Sequence, residues 1–206
     1  MSASTTAQHT APRPLRMDAR RNRERVVGAA RLCMARDGLD AQIEEIARQA
    51  GVGVGTVYRH FPTKDELVAA LATARFERLR DLALEALDTT DPWKAFEGFI
   101  RKAARIQTED RALSEVLTSR PETMSRAAES VGMLGLTDQI LRRAQKAGVV
   151  RKDAEARDIP MLMCALAGTF RNPHADADRY IGIVLDGLKA PGAKPARLPR
   201  SKRSPG

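Results

Sequence analysis

Apolar positions recur at three- and four-residue intervals along nearly the whole chain, and no segment shows a convincing period-two alternation. The pattern predicts an all-α protein of about nine helices. Val26, Ala30, Cys33 and Met34 mark one face of a first helix from about 19 to 37, stopped by Gly38. Ile43, Ile46, Ala47 and Ala50 give a short second helix. Val54, Val57, Tyr58 and Phe61 give a third, which Pro62 closes. Thr63-Lys64-Asp65-Glu66 reads as a capping box opening a long fourth helix that carries Leu67, Leu71, Leu79 and Leu82. Asp91-Pro92 opens a fifth, with Trp93, Phe96, Phe99, Ile100 and Ala103 on one side. Further helices are expected near 110–118, from Pro121 to Ala147, near 158–170 and near 174–189. The Ser/Thr/Ala/Pro-rich residues 1–17 and the proline-rich residues 191–206 carry no large apolar cluster and are expected to be disordered. This divides the chain into a leader (1–17), a first helical domain (18–66), a larger one (67–190) and a tail (191–206).

The segment Gln42–Lys64 holds the most specific chemistry. Two short helices joined by Ala50-Gly51-Val52-Gly53 make a helix-turn-helix. Ala47 is small where the two helices cross. Gly51 supplies the positive φ that the tight turn needs. Val57 is placed to bury against Ile46 and Ala47. An ordinary αα-hairpin shares this periodicity, so the exposed residues decide between the two. Thr56, Arg59 and His60 lie on the polar side of the third helix, with Lys64 just beyond and Arg20, Arg21, Arg23 and Arg25 upstream. A helix entering the major groove needs such groups near base edges, and flanking cations for phosphates.

Charge sharpens this reading. The chain has 206 residues and a net charge of +9. Residues 1–64 carry 11 basic and 6 acidic side chains, a net +5; residues 65–190 carry 19 and 20; residues 191–206 carry 5 and none. The excess therefore sits on the helix-turn-helix third and the tail, which points to a polyanionic partner. No apolar run spans a membrane and the N-terminus lacks a secretory apolar core, so a cytoplasmic protein is expected.

Three scattered histidines (His9, His60, His174) and two cysteines (Cys33, Cys164) suggest neither a metal site nor a disulfide framework. Glu44 and Glu45 are adjacent and diverge on a helix, stabilising its N-terminus instead of forming an acid–base pair. No enzyme, cofactor or metal centre is expected. In the larger domain, Trp93, Phe96, Phe99, Ile100, Met133, Leu136, Thr137 and Met163 are candidates to line a cavity for a small, mainly apolar molecule. Met124, Met161 and Phe170 belong to the same apolar set, and Gln139 is a second candidate polar contact. For any one of them taken singly, plain core packing is the better account. The last two helices are apolar on more than one side: Ile159, Leu162, Met163 and Leu166, then Tyr180, Ile181, Ile183, Val184, Leu185 and Leu188. With small Gly182 and Gly187 between them, the surplus predicts a two-fold helix-pair interface.

The run from Ile46-Ala47 through Gly51-Val52-Gly53-Val54-Gly55-Thr56-Val57-Tyr58-Arg59-His60-Phe61-Pro62-Thr63-Lys64 resembles the N-terminal domain of TetR-type transcriptional regulators. Residues Asp178-Arg179-Tyr180 and Leu185-Asp186-Gly187-Leu188 resemble the C-terminal end of one actinobacterial branch. The resemblance implies a homodimer whose recognition helices read a palindromic double-stranded DNA operator. It also implies a small-molecule effector, bound in the C-terminal domain, that releases the DNA. Matching positions imply phosphate contacts from Tyr58, His60 and Lys64, and base or near-base contacts from Val54, Gly55, Thr56 and Arg59. Arg25 and Gln42 complete the expected DNA-facing set. Two positions depart from the family pattern: Gln42 stands where Thr or Ser is usual, and Gly53 where Ser is usual. They leave open a rival reading, a helical ligand-binding or scaffolding protein whose helix-turn-helix no longer reads an operator.

Overall fold

The computed structural model describes residues 13–109, 111–169, 175–194 and 197–198. Among them the chain forms ten α-helices and one 3-10 turn: α1 (Arg13–Asp37), the turn Gly38–Asp40, α2 (Ile43–Ala50), α3 (Val54–His60), α4 (Lys64–Asp88) and α5 (Pro92–Glu109). Then come α6 (Arg111–Thr118), α7 (Pro121–Ser130), α8 (Met133–Lys146), α9 (Asp158–Thr169) and α10 (Ala177–Leu188). The only extended pairing among the described residues is an isolated bridge between Val150 and Lys189. His9, Phe170, His174 and most of the expected leader and tail lie outside the described residues.

Three sequence expectations change. α1 begins at Arg13, several residues before the expected start. Pro14 stands in its first turn, where a missing N–H leaves no helical bond unmade. The single helix expected from Pro121 to Ala147 is two, because Gly132 takes φ +65° and turns the chain between α7 and α8. A left-handed residue ends α-helical pairing, and glycine is the one that adopts it at little cost. Beyond α10, Leu198 of the tail lies against Gly182, so this glycine makes room for the protein's own chain.

Thr63 and Asp91 both cap their helices, Thr63 through its own half of the expected capping box. The Thr63 hydroxyl accepts from the Glu66 amide at 3.2 Å. The Asp91 carboxylate accepts from the amides of Trp93 and Lys94 at 2.9 and 3.0 Å. Each satisfies donors that a helix N-terminus leaves open.

Burial forms two cores. The first gathers Val26, Ala30, Cys33 and Met34 of α1, Ile46 and Ala47 of α2, Val57 of α3, and Leu67, Val68 and Leu71 of α4. It also takes in Leu113, Val116 and Leu117 of α6 and Ala127 of α7. The second gathers Phe96, Phe99 and Ile100 of α5 with Ile140 and Leu141 of α8, Ile159 and Leu166 of α9, and Ile181 and Leu185 of α10. α4 contributes Ala83 and Ala86 to this second core. The change of core thus falls within α4, between Ala72 and Ala83, and α6 and α7 pack on the helix-turn-helix unit.

Candidate nucleic-acid interface

The local sequence explains why α3 stands where it does. Val57 is fully buried, and Ile46 and Ala47 of α2 are buried with it. The turn between the helices is closed by Gly51 at φ +63°, with its N–H donating to the Arg48 carbonyl at 3.1 Å and the Val52 N–H donating to the Ala47 carbonyl at 3.0 Å. Gly53 caps α3 from extended backbone without a side chain, its carbonyl accepting from Thr56 N–H at 2.8 Å. With Val57 inward and Val54 packed half-buried against the same core, the polar side chains of this two-turn helix are turned outward. Gly55, Tyr58 and Arg59 are exposed, and Val54, Thr56 and His60 are half-buried. Tyr58 keeps 49% of its surface in contact with solvent, a large value for a ring beside a packed core.

The remaining cations divide by role. Arg25 on α1 is exposed and donates from Nη2 to the Gly51 carbonyl at 3.1 Å. Arg23 lies with its guanidinium carbon 5.1 Å from the centre of the Phe61 ring, at the end of α3. Lys64, at the first position of α4, donates to the carbonyls of Leu39 and Ala41, the latter at 2.9 Å. Its ammonium therefore ties the α1–α2 corner to α4, and one of its three donors is left to point elsewhere. Gln42 is exposed and donates from Nε2 to the Asp40 carbonyl at 2.7 Å, making no cap bond to α2. Sequence reasoning assigned Arg25, Gln42 and Lys64 to DNA alone; each also holds a turn of the reading unit together. It also left out Arg23's ring contact, which no spacing rule reveals because Phe61 is 38 residues away.

Behind α2 a cluster of charges is internally paired. Arg48 meets Glu45 at 2.9 and 2.6 Å, and Arg36 meets Asp37 at 2.8 and 2.6 Å. The guanidinium hydrogen bonds hold both carboxyls below their ordinary range.

The residues expected around an apolar cavity are brought together in the second core. Phe96, Phe99, Ile100, Met133, Thr137 and Met163 are all buried in the second core, with Leu136 half-buried against it. The Thr137 hydroxyl donates to the Met133 carbonyl of its own helix at 2.9 Å, and Gln139 faces out. Trp93 stacks toward Phe96 with ring centres 6.2 Å apart and carries the Lys189 ammonium 5.2 Å above its ring. None of these residues lines the cleft described below.

The predicted interface set also sorts by direction. Ile159, Leu166, Ile181, Leu185 and Leu188 turn into the protein's own second core and offer no surface to another chain. Leu162 and Val184 are half-buried, and Tyr180 is exposed. The outward stripes are Met161, Cys164, Ala165 and Gly168 on α9, and Tyr180, Ile183 and Gly187 on α10, the last three belonging to the expected set. Both helices carry apolar residues on more than one side, so periodicity alone could not say which of them face the core.

Residues 26–71 match the family model of bacterial regulatory proteins of the tetR family, and residues 91–190 match the C-terminal domain of SbtR-like transcriptional regulators. This chain belongs to the TetR family. Among TetR-family relatives, the chain is 30% identical over 140 residues to the transcriptional repressor KstR of Mycolicibacterium smegmatis, covering 65% of this chain and 68% of the relative. It is 29% identical over 184 residues to the transcriptional repressor Rv1474c of Mycobacterium tuberculosis, covering 85% and 86%. The crystal structure of a TetR transcription regulatory protein from Mycobacterium vanbaalenii superposes with a TM-score of 0.66 at 37% identity, over 86% of this chain and 100% of that one. The chain is thus a helix-turn-helix, DNA-binding transcriptional regulator of the repressor kind. Among the described residues no helix is long and apolar enough to cross a membrane.

Proposed function

We propose that the protein represses transcription as a homodimer bound to a palindromic operator, and that a small, mainly apolar effector releases it. The observation carrying this is the exposed surface of α3. Thr56 and Arg59 stand on the reading face, and Val54 offers an apolar contact for a thymine methyl group. Tyr58, His60 and the remaining Lys64 donor are placed beside them for phosphates. The Gly53–Val54–Gly55 start of α3 has no bulky side chain to hold the DNA backbone away.

Dimerisation is assigned to the outward stripes of α9 and α10, where Ala165, Gly168 and Gly187 allow helices to approach closely. Two copies would then hold their recognition helices roughly 34–36 Å apart, one turn of DNA. An effector that alters this separation by a few ångströms prevents simultaneous contact with both half-sites. Gel-shift titration with the DNA upstream of the protein's own gene tests the reading. The wild type should retard this fragment in preference to a scrambled one, and Arg59→Ala or Thr56→Ala should relax that preference. An unchanged preference in both variants would remove α3 from base readout.

A further inference from the structure

Where α1 crosses α4, beside the ends of α5 and α6, the protein leaves a cleft of about 340 Å³. Val27, Gly28, Leu71, Ala74, Ile106 and Leu113 give it an apolar interior. Arg23, Arg31, Arg75 and Arg78 also line it, against Glu24 and Glu77 among the described residues. Arg75 is a buried cation: it donates from Nη1 to the Ser114 hydroxyl at 2.9 Å and from Nη2 to Gln107 Oε1 at 2.5 Å, joining α4 to α5 and α6. Arg31 and Arg78 likewise have partners within the protein. An anion entering here would meet Arg75, whose guanidinium is already held in place by Ser114 and Gln107. The volume lies within the range of small-molecule sites, and an apolar interior with a few convergent polar groups is their usual make-up.

We propose that this cleft binds a small amphipathic anion, an aromatic or aliphatic carboxylate, and that Arg23 couples its occupancy to the recognition helix. The site is separate from the apolar cluster around Phe96. Its position makes it regulatory: Arg23 both lines the cleft and lies over Phe61, the residue that ends α3. A carboxylate that recruits the Arg23 guanidinium draws it from the Phe61 ring, exchanging a cation–π contact for a charge-assisted hydrogen bond. Leu71, at the same wall, belongs to the core on which Val57 packs. Ligand and recognition helix therefore share both a side chain and a core.

The second half of this inference rests on the repressor reading, whereas the first does not, and the experiment separates them. Calorimetric titration of the full-length protein with benzoate, octanoate and 4-phenylbutyrate measures the site without DNA. Saturable binding of at least one carboxylate is expected, with the neutral 4-phenylbutyramide roughly tenfold weaker than 4-phenylbutyrate. Gly28 lines the cleft and a Cβ on it would meet nothing within 4 Å, so Gly28→Phe adds a ring at the cleft wall without a backbone clash and should weaken binding roughly tenfold or more. Gly28→Ala should retain it. If Gly28→Phe fails to fold by circular dichroism, Ala74→Leu fills the same space from α4. No saturable binding by any of the three carboxylates, equal binding of acid and amide, or full binding by the filled variant overturns the site. A saturating carboxylate should then weaken operator binding roughly tenfold in the wild type and not in Arg23→Gln. An operator affinity that ignores bound carboxylate overturns the coupling and leaves the site standing. Failure of the ligand-free protein to retard the operator fragment overturns the repressor reading, and calorimetry still decides the cleft.

Discussion

The Arg25 guanidinium donates to the carbonyl of Gly51 across 26 residues of chain, and it occupies the space where any larger side chain at Gly51 would begin. A Cβ there would lie 2.5 Å from Nη2 of Arg25, in addition to the left-handed φ of +63°. Gly51→Ala should therefore destabilise the protein by about 1–2 kcal/mol or more from backbone strain. It should also displace Arg25 from the turn. Arg25→Ala should cost under about 1 kcal/mol, because the bond it removes is exposed. Urea denaturation of both variants checks the order; a larger loss from Arg25→Ala would contradict it.

Lys64 is expected to show two separable effects. Lys64→Ala removes a phosphate partner, so affinity should fall by a similar factor for operator and scrambled DNA, and the salt slope should flatten by about one. It also frees the carbonyls of Leu39 and Ala41, so the melting temperature should drop without DNA present. Fluorescence anisotropy across a salt series and calorimetric melting read the two effects independently. A loss confined to the operator sequence would mean that Lys64 reads bases.

The outward stripes of α9 and α10 make a sharp mutational contrast. Ile183→Glu places a charge on a side chain that is 46% exposed in the single chain, so it should leave the fold intact and give monomers by sedimentation. Ile181→Glu, one-half turn away, is buried and should unfold the protein. Cys164 lies on the same outward side of α9, so its alkylation should slow as protein concentration rises. Cys33 should stay unreactive at any concentration, because burial raises its thiol above the ordinary value.

Asp153 gives a pH dependence. Arg151 holds its carboxylate with two bonds of 2.7 and 2.8 Å and lowers it from the ordinary 3.8 to about 2. A carboxyl depressed in the folded state stabilises the protein above its unfolded value, and this contribution is lost as pH falls from about 4 through about 2. Arg151 also donates from Nη1 to the Gly187 carbonyl at 3.2 Å, so the pair steadies the end of α10. Asp153→Asn should lower the melting temperature slightly at pH 7, and the difference should shrink as pH falls below about 4 and close once pH drops below about 2. A difference that persists at the acid end would point to lost packing instead of lost charge.

Most of the helical plan was legible because local signals carry it. Thr63 and Asp91 cap as their sequences imply, and Gly51 takes the turn conformation its neighbours require. Tyr58 and Arg59 face out because Val57 has only one place to go. What was not legible depends on partners distant in sequence. Nothing near Gly132 distinguished a turn from a tolerated glycine within a longer helix. Ile181 and Ile183 are equally apolar, and only the position of α10 against α5 and α9 makes one core and the other surface. The cleft escaped notice for the same reason. Its lining comes from α1, α4, α5 and α6, and each contributor reads singly as an amphipathic stripe or a solvated charge.

The unbroken run of α4 from Lys64 to Asp88 makes it a lever, with Leu67 to Ala72 seated in one core and Ala83 and Ala86 in the other. At 1.5 Å per residue its 25 residues are about 37 Å long, so a tilt of about 5° at the far end moves the near end by about 3 Å. Side chains repacking by fractions of an ångström around Ala83 would thereby be magnified at Lys64. A tilt of that size would carry the helix-turn-helix end with it by leverage, with no change needed in its own structure.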